Sequence, residues 1–283
     1  MRALYTPRDF DLPQPLDAVD FGSEVARRRS ISGFLAGLSA EVATSDHLFY
    51  TPVGSFARKG GRYRLARYVF LGPGSDDDPI RLGIFAGIHG DEPQGSEALV
   101  RFLLRLNLEP ERARGYQIFA YPICNPTGFE DDTHFSRSGA DLNHEFWQGS
   151  RQPEVYYLER ELGVTGFHGV ISLHTEDSEG FYAHSRSEII GKALVQPALA
   201  AASRFLPLTG RPVRSKCAAA EATGRACHEG VLVNHGDLPS RPFEIVLETP
   251  QSAPDEAQID AAVVALESIL AEYRPFLATQ QNI

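Results

Sequence analysis

The sequence predicts an α/β fold, a single domain built on a mixed, largely parallel twisted sheet flanked by helices. Strand-like runs rich in β-branched and aromatic residues alternate along the chain with helical patterns long enough to cross a sheet. No repeat, linker or low-complexity segment divides the 283 residues, so one core is expected. With 42% hydrophobic and 23% charged side chains, the composition is that of an ordinary globular protein with a sizeable core.

The elements follow in order. Residues 16–42 carry apolar positions at helical spacing (Val19, Phe21, Val25, Ile31, Phe34, Leu35, Leu38), broken by Gly33 and Gly37. They predict a helical arm, so that residues 1–50 pack on a domain formed by 51–283. Strands are predicted at Tyr63–Leu71, Ile80–Ala86, Tyr116–Cys124, Gly169–His174, Gly180–His184, Gly230–Val233 and Phe243–Leu247, each bounded by Gly, Pro or Asp. Helices are predicted at Pro93–Leu106, Pro153–Leu162, Ser187–Phe205 and Pro254–Phe276.

Charge and composition exclude several classes of function. A formal charge of −10, from 27 basic and 37 acidic residues, offers no footprint for a phosphate backbone, so no nucleic-acid partner is expected. No apolar run approaches the length of a membrane span and the first residues lack a secretory stretch, which predicts a cytoplasmic protein with no membrane partner. Cys124, Cys217 and Cys227 are too few and too scattered for a disulfide framework or a thiolate metal site. A transition metal would then be held by His and carboxylate.

In α/β sheets ligands sit beyond the carboxyl ends of the strands, and here four strand ends are loaded. In IFAGIHGDEPQG a strand runs into a glycine-punctuated loop with His89 and Glu92, and Pro93 opens the next helix. Imidazole and carboxylate are both zinc ligands, and a His-x-x-Glu turn lets the two converge. In VISLHTED a buried strand delivers His174 at its terminus. His89, Glu92 and His174 make a two-His, one-carboxylate set with a fourth position open, the pattern of a catalytic zinc. In NPTGFEDDTHFSRSGADLNHEF, Asn-Pro-Thr-Gly is turn chemistry. Arg137 is a candidate for polarising a scissile carbonyl, and Asp141 for accepting from the far nitrogen of a ligand histidine. In PFEIVLETP, Glu244 and Glu248 share a strand face. Glu248, next to the turn, is the better placed general base to take a proton from water and return it to the leaving nitrogen.

In this order, along about residues 60–275, the four segments resemble the zinc carboxypeptidase family: the carboxypeptidase A-like metallopeptidases with their aspartoacylase and succinylglutamate desuccinylase relatives. GIHGDE resembles the family's zinc loop, NPTG its Asn-Pro-Asp-Gly turn, and DLNHEF its Asp-x-Asn-Arg-x-Phe motif. The resemblance implies one zinc ion per chain on His89, Glu92 and His174, with Asp141 supporting the first histidine. It further implies Arg137 at the carbonyl, Asn143 at a substrate carboxylate and Glu248 as base. His144 stands where the family has a carboxylate-clamping arginine, and is placed with Asn143 and Arg137 among the substrate-binding residues. Between Tyr182 and Glu248 no tyrosine matches the one that closes over substrate. Arg186, Arg214, Arg225 and Arg241 are alternative partners for an acidic group, and Ser215–Glu229, with His228, reads as a loop over the cleft. The activity implied is hydrolysis of an amide in a peptide or N-acyl amino acid bearing a free carboxylate. The rival is an idle protein that keeps the zinc fold and only binds a carboxylate ligand.

Overall fold

The computed structural model describes residues 28–59, 61–75, 77–209, 238 and 240–280. Its centre is a seven-stranded sheet. In chain order the strands are β1 (Leu48–Tyr50), β2 (Gly54–Arg58), β3 (Gly61–Leu65), β4 (Tyr68–Leu71), β5 (Ile80–Ala86), β6 (Tyr116–Tyr121), β7 (Gly169–Glu176), β8 (Tyr182–His184) and β9 (Phe243–Pro250). The large sheet runs β1-β4-β6-β5-β7-β9-β8, while β2 and β3 form a separate hairpin. The four central strands β6, β5, β7 and β9 are parallel, and β4, β1 and β8 add antiparallel edges. This is the mixed, largely parallel α/β domain that the alternation of elements predicts.

The helices are α1 (Ile31–Phe34), α2 (Ala36–Val42), α3 (Pro93–Leu108), α4 (Pro126–Asp131), α5 (Pro153–Val164), α6 (Glu188–Ile190), α7 (Gln196–Ala202) and α8 (Asp255–Gln280). Proline at the first turn of α3 and α5 starts each without sacrificing a needed donor. Among the described residues no helix is long and apolar enough to cross a membrane.

The side-chain alternation of the parallel strands divides the interior into two cores. Ile84, Ala86, Ile171, Leu173, Ile245 and Leu247 face α3, α7 and α8. Phe85, Tyr121 and Val170 face the other way, against Phe56 and Tyr63 of the hairpin and Val155 and Leu158 of α5. His174 is three residues beyond Ile171 and Glu248 three beyond Ile245, so both side chains leave the sheet on the hairpin side.

Several boundaries differ from those predicted. The run Tyr63–Leu71 is two strands in two different sheets, because the chain leaves the hairpin at Ala66 and Arg67 to join the main sheet. The third predicted strand stops at Tyr121, before Pro122, which has no N–H for the ladder. Ser187–Phe205 is interrupted by a π-helical turn, Gly191–Val195, just upstream of Pro197, which removes a helical N–H. Asn125-Pro126-Thr127-Gly128 opens the short helix α4, its asparagine side chain accepting from the Gly128 N–H at 2.9 Å. Of the N-terminal arm, α1 and α2 cover Ile31, Phe34 and Leu38, whereas Val19, Phe21 and Val25 lie outside the described residues. So do Gly230–Val233, Ser215–Glu229, His228, Arg214, Arg225, Cys217 and Cys227. Cys124 is a buried free thiol.

Candidate metal centre

Two neighbouring parallel strands build the centre. β5 ends at Ala86 and the chain turns through Gly87, whose φ of 61° is left-handed; a Cβ there would meet Ser96 Oγ at 2.7 Å, so glycine is required. The loop continues through Gly90, where an added Cβ would sit 1.9 Å from the carbonyl carbon of Gly128. The His-x-x-Glu loop and the Asn-Pro-Thr-Gly helix therefore lock together backbone to backbone. Arg29 holds the same junction, donating to the carbonyls of Gly90 at 2.9 Å and Phe129 at 3.1 Å.

This loop turns His89 and Glu92 toward His174 at the end of β7. His89 Nδ1 lies 2.7 Å from Glu92 Oε1 and His174 Nδ1 lies 3.3 Å from Glu92 Oε2. Ligand-capable atoms of all three side chains fall within 4.8 Å of one another, and all three residues are buried. Glu92 Oε2 also accepts from the Thr175 N–H at 3.1 Å, which fixes the carboxylate against the strand end.

Asp141 caps a short 3-10 turn, Leu142–His144, by accepting from the Asn143 N–H at 3.1 Å. Its Oδ1 stands 3.4 Å from His89 Nε2, an ion-pair contact rather than an aligned hydrogen bond. The Nε2 atoms of both His89 and His174 are buried without a hydrogen-bond partner. Each is the ring nitrogen opposite the Nδ1 that meets Glu92, and for His89 it is the one that faces Asp141.

The electrostatics agree with the geometry. Burial lowers the His89 pKa, but contact with Asp141 and Glu92 outweighs it and carries the imidazole up to about 10. Burial would raise Glu92, yet His174 and His89 hold it down to about 2. Asp141 is likewise depressed against its own burial, by His134 and His89. Glu92, buried, and Asp141, partly buried, are thus held ionised by the imidazole rings beside them. Two imidazole nitrogens and a carboxylate are the donor set that suits zinc, so the residues present fit the ion that the sequence implies.

Glu248 stands directly across from His174 in the parallel β7–β9 register and from Tyr182 in the antiparallel β9–β8 register. Register partners share a face, so Glu248 is set beside a triad member, half-buried. Glu244 is four residues back along β9, opposite Val170, one full strand turn further from the triad. Asn143 is buried. His144 is 61% exposed, with Nε2 3.6 Å from Asp141 Oδ2.

Arg137 is fully engaged within the protein. Its Nε and Nη2 donate to Asp131 at 2.6 and 2.7 Å, Nη2 also to Glu130 at 3.2 Å, and Nη1 to the Lys59 carbonyl at 2.6 Å and to Tyr63 Oη. A guanidinium has five N–H donors, and all five are used here. These bonds clamp α4 to the β2–β3 hairpin. The residue that does stand at the centre is His134, which the sequence reading passed over. Its ring stacks on His89 with centroids 3.7 Å apart and planes 19° apart, and its Nε2 is 3.4 Å from Asp141 Oδ2. The available signal was its place between the Asn-Pro-Thr-Gly turn and Asp141, in a stretch poor in aliphatic residues.

Comparison with known proteins adds a class to this geometry. Residues 79–175 match the family model described as the succinylglutamate desuccinylase/aspartoacylase catalytic domain. No curated protein matches the sequence. Among solved structures, a candidate metallopeptidase from Shewanella denitrificans is 21% identical, with a TM-score of 0.65 over 85% of this chain and 89% of its own. A metallo-carboxypeptidase from Burkholderia cenocepacia is 16% identical, with a TM-score of 0.65 over 88% of this chain and 70% of its own. One from Pseudomonas aeruginosa, in complex with (2-guanidinoethylmercapto)succinic acid, is 15% identical, with a TM-score of 0.62 over 83% and 67%. The chain is zinc carboxypeptidase-like in fold. The matched segment includes His89, Glu92, Asp141 and His174, and Glu248 lies beyond it.

Proposed function

We propose that the protein is a cytoplasmic, zinc-dependent hydrolase of amide bonds acting on a peptide or N-acyl amino acid with a free carboxylate. The observation that carries the reading is the convergence of His89, Glu92 and His174 at the ends of adjacent parallel strands, with Glu248 in register beside His174.

His89, Glu92 and His174 would hold one zinc ion, and the ion when bound supplies a Lewis acid that polarises the scissile carbonyl and acidifies water. Glu248 takes the proton from the attacking water and delivers it to the departing nitrogen, which would otherwise leave as an unstable amide anion. Asp141 fixes the ring of His89 and so the direction of its Nδ1. Asn143 donates to the substrate carboxylate, with His144 at the outer side of the same turn. The hairpin and α4, pinned by Arg137, keep that wall of the cleft in place.

Metal content of the purified protein, measured by mass spectrometry beside the His89→Ala variant, tests the ion. Zinc in the wild type that is lost in the variant supports the reading, and zinc unchanged in His89→Ala sinks it. Release of amino acid from a blocked dipeptide, against release of acid from N-acyl amino acids, then separates the two substrate classes. No turnover of either, with a carboxylate ligand still bound, selects the idle carboxylate-binding alternative, which His144 in place of arginine favours.

A further inference from the structure

We propose that Asp91, Glu92 and His134 hold a second divalent cation at the rim of the same cleft, with Glu92 shared between the two ions. The inference rests on the metal reading above and extends it. Ligand-capable atoms of these three side chains lie within 4.8 Å of one another.

The arrangement around His134 repeats the one around His89. Asp141 presents Oδ1 to Nε2 of His89 and Oδ2 to Nε2 of His134, each at 3.4 Å. The two rings are stacked and nearly parallel, so their Nδ1 atoms face the same way, toward consecutive carboxylates: Glu92 for His89 and Asp91 for His134. A carboxylate on the far nitrogen is the usual companion of a ligating histidine, and here one carboxylate serves two rings. His134 Nδ1 and Asp91 Oδ1 are 3.6 Å apart, too far for a hydrogen bond. Two ligands on one tetrahedral ion, with bonds of about 2.1 Å, lie roughly 3.4 Å apart.

Charge points the same way. Asp91, Glu92, Asp141 and the Glu248 carboxylate bring four negative charges, so a single dication leaves the site negative and unfavourable to a substrate carboxylate. The Arg137 guanidinium is committed to Asp131 and Glu130. A second dication brings the sum to zero and supplies the missing counter-charge. His134 and Asp91 are 37% and 38% exposed, which leaves coordination positions for water or substrate carboxylate and makes this ion the weaker bound of the two.

The test is zinc titration of the metal-stripped full chain by equilibrium dialysis, with ions counted by mass spectrometry. The wild type is expected to bind two ions, and Asp91→Asn and His134→Gln to bind one, while His174→Ala loses the tighter ion. A wild type that saturates at one ion, or two ions retained in both Asp91→Asn and His134→Gln, overturns the inference and leaves the mononuclear reading standing. A wild type that binds none overturns both. Should either variant fail to fold, wild type loaded with Mn²⁺ decides alone. A spin-coupled paramagnetic spectrum is expected, and the uncoupled spectrum of isolated ions overturns the second site.

Discussion

Two charged clusters of the molecule behave in opposite ways. Around Arg137 every donor meets an acceptor, from Lys59, Tyr63, Glu130 and Asp131. Around His89 and His174 two ring nitrogens are buried without a hydrogen bond, and ionised carboxylates converge on one small space. A satisfied network rigidifies, whereas each unmet buried polar atom costs about 1–3 kcal/mol. Satisfaction therefore separates the clamp from the candidate metal centre better than residue type does, since an arginine looks catalytic in either place.

Five substitutions would break or sharpen this contrast. The largest effect is expected at the unsatisfied cluster: His174→Ala or Glu92→Ala should strip the triad ion and abolish turnover, read as metal content and hydrolysis of the best substrate. Glu248→Gln should keep the triad ion and lower kcat by about 10²–10⁴-fold, the worth of a general base; an unchanged kcat would remove Glu248 from the reaction. Arg137→Ala should do the reverse, costing about 2–3 kcal/mol in urea denaturation through its lost charged hydrogen bonds while kcat in the folded fraction stays near wild type. A collapse of kcat without loss of stability would restore Arg137 to the site.

The smallest effect is expected at Glu154, which is fully buried, with neither oxygen hydrogen-bonded and Arg58 Nη2 3.9 Å away. Burial raises its pKa above the ordinary carboxyl value. A carboxyl whose folded pKa is raised loses stability as pH climbs through that window, since the unfolded chain ionises more readily. Glu154→Gln does not titrate, so it should stabilise the protein by on the order of 1 kcal/mol at neutral pH and leave it unchanged in acid. Thermal melts at the two pH values check this.

Much of the architecture was legible because parallel strands announce themselves. Ile80–Ala86 is a strand over its full predicted length, and Gly169–His174 lies wholly inside β7. The strand ends were legible too, since an apolar run that stops at His174 or Glu248 has no packing reason to do so. What escaped depends on contacts distant in sequence. Nothing local in Tyr63–Leu71 reveals that its halves pair with different partners, since both halves suit a strand equally well. The saturation of Arg137 was equally hidden, because its acceptors come from the hairpin and from α4. His134 carries no periodicity and gains meaning only once its ring is seen stacked on His89.

The bond from the Thr175 N–H to Glu92 Oε2 ties this chemistry to the backbone in a measurable way. One oxygen serves both the end of β7 and the mouth of the cleft, so an ion that draws on Glu92 also competes for or tightens that bond. Local opening free energies are read from amide hydrogen exchange. The Thr175 amide thus becomes an internal gauge of occupancy, its exchange rate shifting as metal is added or withdrawn, with no substrate in hand.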